Sequence, residues 1–410
     1  MVSVLRLATF RRLWLAQIFS ETGDWIRNMA LLFWVYQVSH GSSLAVSVIT
    51  VCEYAPVLFV TPFAGVWVDR WNRVKTMIVS DLLRSAAMLV IALAFLTGWL
   101  PFAYVGALLA GCFQSFFDPA RTAVVAHVVP KEHSIAANSL TQVTRNTLRI
   151  VGPMIGTGVF ALVGVSLSFG INTATFLLSA ICLTGLLRIP METDPRPHRR
   201  IFAELREGFR YTVGHRMLRP MLIAGMTLGI GLGSYNSLQI FLVTQSLHLD
   251  ESYVAILNSV QGVAMLTSAL LIGTLAKSIQ HRHKLIIAGL FLIGLGILLV
   301  AAAPNLLVAA LARLIVGFGG TTLNIGLASL IQTFVHNDFL GRVSGILEPL
   351  IIGTMMVSAA VAGALLQKVS VVSLLACNGV IVLCSALAAL LLFKLAESNS
   401  TVESSTQTSS

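Results

Sequence analysis

Ionisable residues stand inside long apolar stretches of this sequence, where they would lie in a membrane interior. Asp24 and Arg27 belong to the apolar stretch 13–38, and Glu53 belongs to the next one, 44–68. A charged group at the centre of a bilayer costs about 2.5–3.5 kcal/mol, so such residues need a reason to be there. If the two stretches cross in opposite directions, a rise of about 1.5 Å per residue puts both carboxyls near the midplane.

Two carboxyls beside one guanidinium predict a proton-coupling centre made of Asp24, Glu53 and Arg27. A low dielectric favours the neutral acid and a nearby arginine favours the carboxylate, so a change in water access could switch the proton. A simpler alternative is that Asp24 and Arg27, three residues apart on one helix, only neutralise each other. Both interpretations stay open from the sequence alone.

Polar residues in the second half of the chain could line a substrate cavity. Arg313 and Glu348 are the intramembrane charges of this half, and Glu348 lies close enough to the end of its apolar stretch to favour structural pairing. The uncharged candidates carry amides that can donate and accept hydrogen bonds. They are Asn236, Gln239, Asn258 and Gln261.

The elements that position these residues must be membrane helices. Of 410 residues, 56% are hydrophobic and 11% are charged, whereas a soluble domain carries about 25% charge. The apolar residues suffice for about twelve helices of about 20 residues each, the length that crosses a bilayer. Composition therefore excludes a soluble enzyme, a disordered chain and a secreted disulfide scaffold, and it predicts an all-α polytopic membrane protein.

Turn signals divide the apolar sequence into twelve predicted transmembrane helices. These spans are 13–38, 44–68, 76–97, 100–118, 141–163, 167–187, 220–243, 252–276, 285–303, 306–334, 343–367 and 370–393. The break between the fifth and sixth spans rests mainly on Gly164.

The net charge of +10 reports membrane orientation rather than nucleic-acid binding. Nearly all the bases fall before the first span, in the central connection, or in alternate connections, and the other connections hold only Lys368. Because cytoplasmic loops are enriched in Lys and Arg, both termini are predicted to lie in the cytoplasm. The expected location is the inner (plasma) membrane, with the lipid bilayer as surroundings and no nucleic acid as partner.

Four regions follow from the span order. We expect an N-terminal six-helix bundle over 1–187, a cytoplasmic central loop over 188–219, a C-terminal six-helix bundle over 220–394 and a disordered polar tail over 395–410. The central loop contains an amphipathic segment around 202–213, which is either a helix lying on the inner leaflet or a plain linker helix.

Six spans on each side of the central loop suggest an internal repeat with pseudo-symmetry. Turn residues support the repeat, because a set of three in the first half matches a set of three in the second half with the same spacing. The sets are Gly111, Asp118 and Glu132, and Gly317, Asn324 and Asp338. Parallel repeats of this kind place a substrate cavity between the halves near the midplane.

The connection after the second span combines small, acidic and basic residues. It reads Gly65-Val-Trp-Val-Asp69-Arg70-Trp-Asn72-Arg73-Val-Lys75. Gly65 would permit close helix contact, and Asn72 would adopt the left-handed backbone of a tight turn. Asp69 would favour a positive helix N-terminus, and Arg73 could bridge carboxylates.

This connection resembles the signature loop of the major facilitator superfamily, Gly-x-Leu-Ala-Asp-Arg-x-Gly-Arg-Lys. It departs from that loop at Trp67 and Asn72, and its last base comes one place late. The resemblance implies the major facilitator fold and a cytoplasmic gate made of Asp69, Arg73 and Asp118. Simple anchoring by bases would explain the arginines and the lysine, but not Asp69.

The fifth span is similar to the antiporter motif of drug/proton exchangers in this superfamily. The matching residues are Arg149, Gly152, Pro153 and Gly156, although the upstream glycines of the motif are missing. As an alternative, glycine and proline inside a span serve only helix packing.

Further segments in the same order resemble the branch with macrolide-efflux-type, multidrug and enterobactin-exporter-type proteins. They are Phe10-Arg-Arg-Leu-Trp-Leu15, Gly23-Asp24, Ser80-Asp-Leu-Leu-Arg84, Phe117-Asp-Pro-Ala-Arg121, Leu205-Arg-Glu-Gly-Phe-Arg-Tyr211 and Gly341-Arg-Val343. The resemblance implies a monomeric, proton-coupled antiporter that exports small amphiphilic compounds, such as drugs or macrolides, by alternating access. The alternative is a dedicated exporter of an endogenous metabolite such as a siderophore.

Enzyme chemistry is not expected. The sequence has no Gly-x-x-x-x-Gly-Lys phosphate loop, and no nucleophile–base pair stands inside the spans. The five cysteines all lie in apolar stretches, and the nine histidines form no ligand cluster, so neither disulfides nor a zinc site is predicted. No cofactor and no metal is therefore expected.

Overall fold

The architecture is that of a helical membrane protein, as seen in a computed structural model that describes residues 2–189, 201–215, 218–275, 283–335 and 337–407. Within these ranges the regular secondary structure is helical and no strand occurs. The contacts divide the chain into two compact units, residues 1–198 and residues 199–410.

Thirteen α-helices are described over these ranges. They are α1 Ala8–Val38, α2 Ser43–Phe59, α3 Thr61–Arg70, α4 Arg73–Thr97, α5 Leu100–Val128, α6 Ser134–Thr184, α7 Ile201–Gly214, α8 Leu218–Phe241, α9 Tyr253–Leu275, α10 His283–Ala301, α11 Leu306–Phe334, α12 Asn337–Leu365 and α13 Val371–Gln407. A π-helical turn, Leu242–Ser246, continues α8.

These helices account for the twelve predicted spans. The second span is divided at Val60 into α2 and α3, since Pro62 begins a new helix there. The fifth and sixth spans are the two parts of α6, which separate at Gly164 with φ 73° and ψ −176°. Among the described helices, eight are long and apolar enough to cross a membrane. The predicted fold class is confirmed.

The N-terminal unit is built on the contact of α1 with α6, while α4 packs on α5 and α6, and α2 packs on α5. Small residues allow the α1–α6 contact. A Cβ atom on Gly152 would overlap the ring of Trp25, and one on Gly156 would overlap the carbonyl oxygen of Trp25 and the side chain of Met29. Helices in membranes approach closely where such residues face each other.

The C-terminal unit repeats this packing pattern internally. Helix α8 contacts α12 and α13, α10 contacts α11 and α13, and α9 contacts α11, which are the equivalents of the pairs in the first unit. Gly111 faces Pro56 of α2, and its repeat counterpart Gly317 faces the carbonyl oxygen of Gln261 on α9. The two glycines therefore serve the same contact in each unit.

Three boundaries differ from the expected ones. Helix α13 continues to Gln407 where a disordered tail from 395 was expected, because no Gly or Pro interrupts the chain after Gly379. Helix α5 continues to Val128, ten residues beyond the predicted end of the fourth span. Helix α7 packs on α8 and α12, so this part of the central loop belongs to the C-terminal unit.

Candidate functional site

The N-terminal unit contains a group of charged residues at mid-depth, which we call the Asp24 cluster; four of them are buried and Glu53 is half-buried. Its members are Asp24 and Arg27 on α1, Glu53 on α2, and Asp81 and Arg84 on α4. Asp24 lies about 20 Å from the end of α1 at Val38, and Glu53 lies about 15 Å from the start of α2, at about 1.5 Å per residue. The structure therefore brings together all three residues of the predicted coupling centre.

Arg84 connects the helices of this cluster. Its guanidinium pairs with Asp24, and its Nη1 lies 3.2 Å from Oδ1 of Asp81 and donates a 2.6 Å hydrogen bond to Oγ of Ser20. Ser179 of α6 donates a hydrogen bond to the other carboxylate oxygen of Asp81. The Arg84 guanidinium also lies 4.1 Å from the ring centre of Phe176, a cation–π contact.

Arg27 neutralises the other side of Asp24. Its Nη1 lies 3.1 Å from Oδ1 of Asp24, while its Nε and Nη2 donate to the amide oxygen of Asn28 at 3.0 and 2.7 Å. Asp24 is therefore held between two guanidinium groups, and the i,i+3 pairing suggested by the sequence is present.

Glu53 differs from the other two acids. It lies close enough to Arg27 and Asp24 to interact electrostatically with both. Its Oε1 is buried and has no hydrogen-bond partner in the described part of the chain. If all five groups were ionised, three carboxylates would face two guanidiniums, so the cluster holds one acid more than its bases can balance.

A second group, the Glu21 cluster, lies one turn along α1 from the first. Arg121 of α5 bridges Glu21 and Asp118 at 3.1 Å each, and Arg145 of α6 pairs with Asp118. Gln17 donates a 3.0 Å hydrogen bond to Glu21. Two acids pair with two bases here, and these pairs join α1, α5 and α6.

The predicted gate residues fall in different surroundings. Asp118 lies in the Glu21 cluster with Arg121 and Arg145. Arg70 is exposed at the end of α3, and Arg73 begins α4. The side chain of Asp69 lies outside the described part of the structure, so its predicted partnership with Arg73 and Asp118 stays a prediction.

Two details of the signature loop are corrected. A Cβ atom on Gly65 would meet no atom within 4 Å among the described residues, so this glycine makes no close helix contact there. Asn72 has an extended backbone with φ −66° and ψ 109°, and its side chain accepts a hydrogen bond from the amide of Lys75. Asn72 is therefore the N-cap of α4, a role that asparagine favours as much as tight turns.

The antiporter-like motif lies on the face of α6 that contacts α1. Gly152 and Gly156 face Trp25, and the carbonyl of Pro153 accepts a 2.6 Å hydrogen bond from Thr157. Arg149 interacts electrostatically with Asp118. The motif thus packs directly against the helix that carries Asp24.

In the C-terminal unit, three of the four predicted cavity residues gather around Arg313 of α11. Its Nη1 donates to Asn258 and Gln261 at 3.1 and 3.0 Å, and its Nη2 donates to Gln239 at 3.3 Å. Asn236 is half-buried and does not share these contacts. The side chain of Glu348 lies outside the described residues.

Sequence reasoning missed the central residues of both clusters. In the sequence Asp81 and Arg84 stand out only as part of a family-like segment, yet both are fully buried and Arg84 pairs with Asp24. Arg121 was counted as a loop base, yet it is buried inside α5. The i,i+3 spacing of Asp81 and Arg84 and of Asp118 and Arg121 was the available signal.

Within the described ranges, no group of three or more His, Cys, Asp or Glu residues could hold a metal ion. The five cysteines are free thiols.

The chain matches known transporters over nearly its whole length. Residues 1–409 match the family described as transmembrane secretion effector. It is 24% identical to the uncharacterized MFS-type transporter YkuC of Bacillus subtilis (strain 168), covering 85% of this chain and 83% of that one. It is 22% identical to macrolide efflux protein A of Streptococcus pyogenes, covering 92% and 94%.

A solved structure shows the same fold. A point mutant of the nucleoside transporter NupG superposes with a TM-score of 0.76 at 13% identity, over 94% of this chain and 100% of that one. At this identity the likeness concerns the fold alone.

Proposed function

This chain belongs to the transmembrane secretion effector family of major facilitator superfamily transporters, and on that premise we propose that it exports small amphiphilic compounds in exchange for protons. The proposed substrates are drugs and macrolides, since one relative is named a macrolide efflux protein. The observation that carries the proton coupling is the unbalanced acid of the Asp24 cluster.

Glu53 is the proton carrier in this proposal. With Glu53 protonated, Asp24 and Asp81 balance Arg27 and Arg84, so the cluster has no net charge and can be closed off from water. With Glu53 ionised, the cluster carries one negative charge, which is costly to bury and favours a state that admits water. Protonation would therefore bias the transporter between two conformations, as alternating access requires.

The other predicted site residues have supporting roles in this proposal. Arg84 and Arg27 pair with Asp24, which leaves Glu53 as the acid that takes up the proton. The Glu21 cluster, together with Asp69 and Arg73, would form the cytoplasmic gate, because its arginines bridge three helices next to the Asp24 cluster.

Transport into everted membrane vesicles tests the proposal. An imposed pH gradient, acidic inside, should drive accumulation of a radiolabelled macrolide or an amphiphilic dye in vesicles that hold this protein. Glu53→Gln should abolish gradient-driven accumulation and keep exchange of labelled for unlabelled compound, because the site that binds the compound is intact. Asp24→Asn should reduce accumulation as well.

Glu132→Gln is the matched control, because it makes the same acid-to-amide change at an exposed position between α5 and α6. It should accumulate the compound as the unaltered protein does. Undiminished accumulation by Glu53→Gln and Asp24→Asn, or accumulation driven by a sodium gradient alone, contradicts proton coupling through this cluster.

A further inference from the structure

Arg313 of α11 is a buried cation. Its side chain is 1% exposed, and in the described residues no carboxylate lies within ion-pair distance of it. The arginines Arg27 and Arg84 of the N-terminal unit are also buried, yet each contacts at least one carboxylate. Arg313 lies about 10 Å along α11 from its start at Leu306, at about 1.5 Å per residue, well inside the helical bundle.

Among the described residues, the groups that contact this guanidinium are neutral. The oxygens of Asn258, Gln261 and Gln239 accept from its two terminal nitrogens, and the Tyr235 ring centre lies 4.9 Å from its Cζ. Dipoles and a ring face stabilise a cation, but they leave its full charge uncompensated in a low dielectric. A buried charge of this kind normally has a counterion.

Two donors in this site are also unused. Nε of Arg313 and the hydroxyl of Tyr235 are buried, and neither has a hydrogen-bond partner in the described part of the chain. Buried polar groups are nearly always hydrogen-bonded, so unpaired donors beside an unpaired charge indicate a missing acceptor. The acceptor that satisfies all of them is an anion.

We infer that Arg313, Tyr235, Gln239, Asn258 and Gln261 form a binding site for the carboxylate of an anionic amphiphile. That the amphiphile is a transported compound rests on the proposed function. A guanidinium binds a carboxylate through two parallel hydrogen bonds, and the Tyr235 hydroxyl supplies a third donor. Each amide can rotate to donate its N–H₂ to the anion in place of the oxygen it now offers the guanidinium.

Binding at this depth needs a conformational change. Arg313 and Tyr235 are each 1% exposed, so a ligand reaches them only when the helices around them move apart. Alternating access provides such a state, and the bound carboxylate would then be enclosed with the charge that balances it.

Direct binding to the purified full-length protein in lipid nanodiscs tests the site. The probes are 2-naphthoate and 2-naphthamide, which share size and shape but differ in charge. Naphthoate should bind at least tenfold more tightly than naphthamide. Arg313→Gln should weaken naphthoate binding on the order of tenfold to a hundredfold, as expected for loss of a charged hydrogen-bond partner.

A second variant keeps the test decisive if Arg313→Gln does not fold. Gln261→Glu places a carboxylate where an amide oxygen now lies 3.0 Å from Nη1 of Arg313. The built-in anion should raise the unfolding temperature and abolish naphthoate binding. Ser268→Ala is the matched control, because Ser268 also joins α9 to α11, through the carbonyl of Phe318, without touching Arg313.

Equal affinity for naphthoate and naphthamide, or unchanged naphthoate binding in Gln261→Glu, overturns the inference. If chloride displaces naphthoate fully when the two are present at equal concentrations, the assignment of the site to an amphiphile is overturned. Glu53→Gln should bind naphthoate normally. Loss of gradient-driven transport with intact naphthoate binding would therefore count against the proposed coupling and not against this site.

Discussion

The two units carry opposite charge imbalances around buried arginines. The Asp24 cluster holds three acids and two bases, and Oε1 of its extra acid, Glu53, lacks a hydrogen-bond partner in the described residues. The Arg313 site holds one base, and it holds no acid among the described residues. An excess acid suits the uptake and release of a proton, whereas an excess base suits an anionic ligand, so the two repeats would divide coupling and recognition between them.

Removal of Arg84 should be the most destabilising single change in the Asp24 cluster. Arg84→Gln would leave Asp81 with only serine partners and Asp24 with Arg27 alone, and breaking a buried ion pair costs about 3–5 kcal/mol. The unfolding temperature of the purified protein should fall accordingly. Arg210→Gln, at an exposed position on α7, should leave it unchanged.

The cause of that loss can be separated from simple volume change. Asp81→Asn combined with Arg84→Gln should recover part of the lost stability, because Asp81→Asn removes the carboxylate that Arg84→Gln leaves uncompensated. If the double variant is less stable than Arg84→Gln by the full effect of Asp81→Asn alone, the two residues are not coupled.

At single positions, the sequence predicted pairs within one helix better than pairs between helices. The spacing of Asp24 and Arg27 indicated their contact correctly. The contact of Arg84 with Asp24 joins α4 to α1, and it depends on how each helix is rotated about its axis. Helices that are apolar on nearly all faces give little information on that rotation, so the second partner of Asp24, Arg84, could not be predicted.

The contact between α1 and α6 should depend on Gly156 and not on the nearby Gly158. A Cβ at position 156 would overlap the Trp25 carbonyl oxygen and Met29, whereas one at position 158 meets no described atom within 4 Å. Overpacking typically costs about 1–3 kcal/mol, so Gly156→Ala should lower the unfolding temperature. Gly158→Ala should raise it slightly, because alanine favours helix by up to about 1 kcal/mol.

These two variants separate packing from glycine flexibility, because both replace a glycine by alanine within the same two turns of α6. Equal destabilisation by both changes would mean that bending of α6, rather than its contact with α1, is what the glycines provide. Transport activity of Gly156→Ala should fall with its stability, since Trp25 is the neighbour of Asp24 in the chain.

Helix ends were predicted well where capping or turn residues mark them and less well where such residues are absent. Helix α11 begins and ends where the apolar pattern placed the tenth span, and Asn305 caps its start. Helices α5 and α13 run on past the apolar residues, because a helix that has formed continues until something interrupts it. The Glu21 cluster was hidden for that reason, since Arg121 lies on the extension of α5.

The whole chain follows one six-helix plan twice. The same helix pairs pack within each unit, and the paired glycines Gly111 and Gly317 fill the same place in each. Since only the N-terminal copy carries carboxylates around its buried arginines in the described residues, the duplication conserved packing while the charged residues diverged. The repeat could be predicted from span order and turn residues, but the division of charge between the copies required the contacts.

The orientation of the chain in the membrane is predicted by its bases and is open to direct measurement. In a background without the native cysteines, Gln367→Cys in the connection between α12 and α13 should react with a membrane-impermeant maleimide on intact cells. Glu132→Cys, between α5 and α6, should react only in everted vesicles. Both positions are exposed, so accessibility within the protein does not decide the outcome.

The expected asymmetry follows from the positive-inside rule, because nearly all the bases fall on the same predicted side as Glu132, whereas the connections on the side of Gln367 hold only Lys368. Reversed labelling would place both termini outside. Because exchange for an entering proton moves the compound out of the cell in either orientation, that result would contradict the predicted topology but leave the direction of transport unchanged.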